Sequence, residues 1–268
     1  MNPSAKIICD SVSPEGVRLT TMEVVMHRFV LSEFNTHRAF SRNSASSRAI
    51  PVVKQLRMLR ETTAFPLVWP AEQPGMQGGD ALEDDIAQEA QRVWESARDD
   101  AIGAVERLVG IGVHKSVANR LLEPFMWHVV VVSSCEWDNF FGLRCNELAQ
   151  PEIRVAAEAM QSALGESRPG EVGYGEWHLP YVSEEELESI PLSDLCKISA
   201  ARCARVSYLT HAGRRDLSED IRLYDRLMSA DPAHASPLEH VATPKSGRVL
   251  GNFFGWSQLR HAIDEAGV

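Results

Sequence analysis

The chain has 268 residues, is 44% hydrophobic and carries a formal net charge of −10, enough to bury a substantial core, and a single domain over 1–268 is expected. The acidic balance argues against duplex nucleic acid as a partner, and no apolar run approaches the roughly 20 residues that cross a bilayer. No signal-peptide core follows Met1, so no membrane partner is expected and the expected location is cytoplasmic.

In chain order, 6–12 and 17–26 read as strands joined by the turn Ser13-Pro14-Glu15-Gly16, an opening hairpin. A polar cassette follows. Three prolines and three glycines between Phe65 and Asp80 mark a connecting loop, after which Ile86, Ala90, Val93, Ala97, Ala101, Val105 and Leu108 recur at helical spacing, with acidic residues at the start to suit the helix dipole. The stretch 114–123 reads as a short helix stopped by Pro124, and 126–132 as a strand apolar on both faces. Pro151 opens a helix to about Leu164, and 165–176 reads as a mobile, glycine-rich loop. Ser183, Ser193 and Ser218 each precede helical patterns with early acids and read as N-caps. The alternation predicts an α+β fold, a mixed α/β arrangement of one twisted sheet with flanking helices. Five scattered cysteines without a Cys-x-x-Cys pair argue against a disulfide framework or a zinc site and are expected to be reduced and mostly buried.

The cassette holds most of the chemistry. Thr36, His37, Arg38, Ser41, Asn43, Ser46 and Arg48 bring hydroxyl, amide, imidazole and guanidinium groups together among small spacers. Such donors suit a phosphate, which the planar arginine fork grips with paired charge-assisted bonds, and a flat heteroaromatic ring.

The pattern His37-Arg38, seven residues, Ser46, one residue, Arg48 resembles the signature of the flavin-dependent thymidylate synthases. Two further blocks carry the same resemblance: Phe140-Phe141-Gly142-Leu143-Arg144 continuing to Ala149-Gln150-Pro151-Glu152-Ile153-Arg154, and Ser236-Pro237-Leu238-Glu239-His240. The last block lies ahead of the signature in usual members and behind it here, so the order resembles a circular permutation, with 1–164 holding the signature, nucleotide and flavin blocks and 193–268 the permuted block. Thr36 stands where the family has an arginine, and Ser44 where a glutamate is common.

The resemblance implies C5-methylation of a uridine monophosphate, dUMP or UMP, with FAD as cofactor, methylene-tetrahydrofolate as carbon donor and NADPH as reductant. It implies a homotetramer whose active sites draw on several subunits. His37, Arg38, Asn139, Ser236 and His240 would contact the flavin; Glu33, Ser46, Arg48, Arg120 and Arg144 would bind the nucleotide, with Ser46 and Arg144 nearest the chemistry. Ser46 has no adjacent base to make it a nucleophile, so its implied role is to orient the uracil while the cofactor supplies the chemistry. Three alternatives stand beside this reading: a UMP methylase of nucleoside-antibiotic biosynthesis, a noncatalytic flavin- or nucleotide-binding homologue favoured by Thr36, and a metal-dependent hydrolase using His234 and His240, for which no third residue has ligand spacing. No metal is expected.

Overall fold

The computed structural model describes residues 1–210, 216–247 and 251–261; the last seven residues of the permuted block lie outside the described residues. In chain order the strands and helices are β1 (Ser4–Val12), β2 (Arg18–His27), α1 (Leu31–Asn35), β3 (Ser41–Ser44), α2 (Val52–Glu61), α3 (Asp84–Gly110), α4 (Lys115–Ala118), β4 (Trp127–Ser134), α5 (Asp138–Arg144), α6 (Pro151–Glu166), β5 (Gly170–Glu171), α7 (Glu184–Ser189), α8 (Leu192–Ala204), α9 (Leu217–Met228), β6 (Ala242–Pro244) and β7 (Trp256–Gln258).

The main sheet runs β3-β4-β2-β1-β5. Its pairs are antiparallel except β1 with β5, which is parallel. Alternation along β2 and β4 sends Met22, Val24, Met26, Val130 and Val132 to one face, against Phe140 of α5 and Ile153, Ala157 and Met160 of α6. On the other face Val131 packs on Cys203 of α8 and on Val206 just beyond it. A strand covered on both sides needs the unbroken valine run that β4 has. The fold is therefore a mixed sheet with flanking helices, as expected from the sequence.

Several boundaries differ from the sequence expectation. The stretch 114–123 is not one helix: α4 lasts four residues and tightens into a 3-10 segment, Asn119–Phe125, that holds Pro124 inside it, because Pro124 has no N–H for a longer ladder. Ser183 caps α7 with a reciprocal box to Glu186, but α8 starts after Pro191 and already contains Ser193. The cap of α9 is Asp216, whose side chain accepts from the Glu219 N–H, and Ser218 only donates to that carboxylate at 2.8 Å. Aspartate wins because an anion also meets the helix dipole. The loop 165–176 contains β5, paired to Ser11 and Val12. All five cysteines are free, with Cys196 and Cys203 buried and the others half-buried.

The C-terminal block docks on β3. Glu239 accepts from Ser41 Oγ at 2.8 Å and pairs with Arg260, while Gln258 Nε2 donates to Ser41 Oγ and to the Glu239 carbonyl, both at 3.1 Å. Leu238 and Val241 fill a core with Leu195 and Ala200 of α8. The Ser-Pro-Leu-Glu-His block is thus held against the cassette although 188 or more residues of chain separate them.

Candidate functional site

After β3 leaves the sheet, the chain makes a tight turn in which the Ser46 carbonyl accepts from the N–H groups of Ala49 and Ile50 at 3.0 and 3.2 Å. Asn119 Nδ2 donates to the carbonyls of Ser47 and Ile50 at 2.7 and 3.0 Å, and Lys115 to that of Ala49 at 2.9 Å. The turn walls a cleft of about 670 Å³ lined by Ser44, Ser46, Ser47, Arg48, Arg28, Arg120, His114, Ser116, Ser207, Tyr208, His234 and Ser236 among others. No carboxylate is among the lining residues.

Beneath the wall lies Glu123. Its Oε1 accepts from Ser47 Oγ at 2.7 Å, Arg120 Nη1 at 2.7 Å and Arg28 Nη2 at 3.1 Å. Arg28 Nη1 donates to His128 Nδ1 at 2.8 Å and to the Ala45 carbonyl at 3.3 Å. Burial, and then the Arg28 charge, push the His128 imidazole down to about 3, so the ring is neutral and takes the Arg28 proton as an acceptor. Arg48 is exposed and has no partner among the described residues. Among the described residues three guanidinium groups face one carboxylate, an excess of two positive charges.

A second polar corner lies at the C-terminal end of α1. Arg144, at the end of α5, donates through Nε to His37 Nε2 at 3.1 Å and through Nη2 to the Glu33 carbonyl and Thr36 Oγ1, both at 3.3 Å. Burial, followed by the charges of Arg144 and Arg42, lowers the His37 imidazole below its usual range. Arg38 and Asn139 are exposed nearby in sequence. Leu31, at the start of α1, lines the cleft, whereas Glu33 meets Arg144 in the corner through its backbone carbonyl.

The sequence-derived set is therefore divided. Ser46, Arg48, Arg120 and Ser236 meet in the cleft; Glu33, His37 and Arg144 meet in the corner; Arg38 and Asn139 line neither contact set. His240 borders no opening: its ring is wholly buried, its Nδ1 lies 2.7 Å from Ser133 Oγ, and burial holds it at about 3. It ends a buried chain through Ser133, Thr21 and His178 to Ser11, with links of 2.6 to 2.8 Å. Sequence reading passed over Arg28, His114, Ser116, Ser207 and Tyr208, and weighed His234 only as a metal ligand. The dipeptide His27-Arg28 at the end of β2, two residues ahead of α1, is the local signal, echoing His37-Arg38. Among the described residues no three His, Cys, Asp or Glu side chains are close enough to hold a metal, and no helix is long and apolar enough to cross a membrane.

The model of the thymidylate synthase complementing protein family matches residues 15–169, more than half of the chain, and spans both the cassette and the Arg144 block. The chain belongs to that family. Among solved structures, a UMP/dUMP methylase, PolB, from Streptomyces cacaoi bound with 5-Br dUMP matches at 16% identity and TM-score 0.50, covering 62% of this chain and 90% of that one. The same protein bound with 5-Br UMP matches at 18% identity and TM-score 0.51, over 62% and 89% of the two chains. At these identities the likeness concerns the fold. No curated protein matches by sequence. The C-terminal block lies outside the residues of the family match, so its place in this thymidylate synthase complementing family member rests on its docking to β3.

Proposed function

We propose that this family member is a flavin-dependent methylase acting at C5 of the uracil ring of dUMP or UMP, with methylene-tetrahydrofolate as carbon donor and NADPH as reductant. The observation that carries the reading is the cleft: arginines and serine hydroxyls without a lining carboxylate, with two excess positive charges, suit the dianionic phosphate of a nucleoside monophosphate. The solved relatives are named for methylation of UMP and dUMP and were bound with 5-Br dUMP and 5-Br UMP, which supports the same substrate class.

For FAD, the exposed side chains of Arg38, Asn139 and Ser236 and the Arg144–His37 corner offer the cationic and amide donors that a diphosphate and an isoalloxazine edge require. The buried His240 does not fit as a direct contact; it supports the floor through Ser133. Bound reduced flavin supplies one-carbon transfer and hydride in this family's chemistry. Within this reading Arg48 and Arg120 hold the phosphate, Ser46 orients the pyrimidine, and Arg144 keeps the neutral His37 ring in place. Because the cleft residues and the Arg144–His37 corner share no lining residue or hydrogen bond among the described residues, a complete site in this reading joins the cleft of one subunit to the corner of another, in keeping with a homotetramer.

The test is turnover by purified protein with FAD, NADPH and methylene-tetrahydrofolate, using dUMP, UMP and dCMP in parallel and weighing each product by mass spectrometry. A mass gain of one methyl on dUMP or UMP is expected. Protein that binds flavin and nucleotide yet leaves all three unchanged would overturn the enzymatic reading in favour of a noncatalytic homologue, which Thr36 in place of the family arginine favours.

A further inference from the structure

We propose that Arg28 is a further phosphate-binding residue of the cleft and that Glu123 is the positioning residue that holds Arg28, Arg120 and Ser47 as one preassembled wall; this rests on the nucleotide reading of the cleft. Arg28 sits two residues before α1 begins its approach and reaches the cleft with a side chain only 10% exposed. Three of its five N–H donors are taken, two by Ala45 and His128 and one by Glu123. Among the described residues the N–H on Nε and one on Nη2 have no acceptor and are left for an anion, and a guanidinium presents donors in a fixed fork suited to two phosphate oxygens.

The surroundings restrain the group without cancelling its charge. His128 is a neutral acceptor, and the Ala45 carbonyl is another, so among the described residues the sole formal negative charge touching Arg28 is Glu123, which it shares with Arg120. One carboxylate oxygen receiving from Ser47, Arg120 and Arg28 ties the turn, the 3-10 segment and the end of β2 to a single point. A binding wall whose rotamers are already ordered loses less entropy when the anion arrives. Two positive charges in excess match a phosphomonoester dianion better than a neutral nucleoside or a monoanion.

The experiment is calorimetric titration of dUMP into the full-length protein and into Arg28→Met, Arg28→Lys, Glu123→Gln and Glu123→Leu. Arg28→Met is expected to weaken binding by roughly 10- to 100-fold, the range for losing charged hydrogen bonds, with Arg28→Lys in between because it keeps the charge and loses the fork. The two Glu123 variants separate geometry from charge, since each removes one negative charge but only glutamine keeps an oxygen acceptor. Glu123→Gln should bind as well as the wild type and Glu123→Leu should bind several-fold more weakly. Arg28→Met within about twofold of wild type overturns the Arg28 assignment, and parallel changes in both Glu123 variants overturn the positioning role. Should Arg28→Met fail to fold, Arg28→Lys and the Glu123 pair still decide. Wild-type protein that binds neither dUMP nor, titrated in the same way, UMP overturns the nucleotide reading itself, which is a different result from tight wild-type binding with unaffected variants.

Discussion

His128, His178 and His240 are all held at about 3, chiefly by burial, while the same side chain in the unfolded chain titrates near about 6.5. Between those values the unfolded chain binds protons that the folded chain refuses. The stability owed to each neutral ring is therefore complete above about pH 6.5 and falls by about 1.4 kcal/mol for each pH unit below it. Urea unfolding followed at pH 7 and pH 5 should show a clearly lower midpoint at pH 5, and a midpoint that does not move would mean that the folded rings take up protons as readily as the unfolded ones. Ring-proton resonances of these three histidines should stay fixed from pH 8 to pH 5. The thiols add no competing chemistry, because burial pushes Cys135 and Cys196 up to about 12.

At the scale of elements, one arginine joins three helices. Arg202 of α8 donates to Asp220 of α9 at 2.8 Å and to Glu186 of α7 at 2.6 and 2.7 Å, and Arg205 also reaches Asp220, at 2.7 Å. Hydrogen bonds from Arg202 hold the Glu186 carboxyl down to about 2. Asp220 is fully buried, so Arg202→Met strands much of a buried charge and should cost about 3–5 kcal/mol, read as a fall in the thermal unfolding midpoint. The C-terminal block depends on a smaller hook: Glu239→Ala removes the bonds to Ser41 and Arg260. Faster amide exchange in 236–247 and 251–261 is expected, with β2 and β4 unchanged; equal change throughout would show that the block belongs to the main cooperative unit.

Much of this element layout was legible beforehand. The hairpin, β4, α3 and α6 announce themselves because their apolar positions repeat with the period of the structure they form. The errors sit where a local rule met a stronger competitor: Asp216 displaced Ser218 as a cap, and Pro124 turned an expected helix into a 3-10 segment. The role of Glu123 was not legible, since its three partners come from positions 28, 47 and 120 and nothing at short range brings them together.

At the scale of the whole molecule, the division of site residues between cleft and corner leads to a test with mixed chains. If one subunit's cleft completes another's corner, Arg48→Ala and Arg144→Ala proteins should each be inactive alone. Unfolded together and refolded as a mixture, they should regain activity approaching about a quarter of the wild type, the share of sites that receive both intact halves at random. No recovery, with mixed oligomers demonstrated by native mass spectrometry, would place both arginines in one subunit's site.

The sequence by itself determined the family and the chemical vocabulary: His37-Arg38, Ser46 and Arg48, the Arg144 block and the Ser236–His240 block are short runs whose residue types survive reading without any coordinates. Helix and strand periods were settled in the same way, because burial of one face is a local constraint. Only the tertiary structure decided which of those residues share a cavity. It sank His240 beneath Ser133, gathered Arg144 with His37 and Arg48 with Arg120, and brought Arg28 and Glu123 into the wall. Proximity between distant segments follows from sheet order and helix packing, and those depend on the whole chain burying its apolar surface at once.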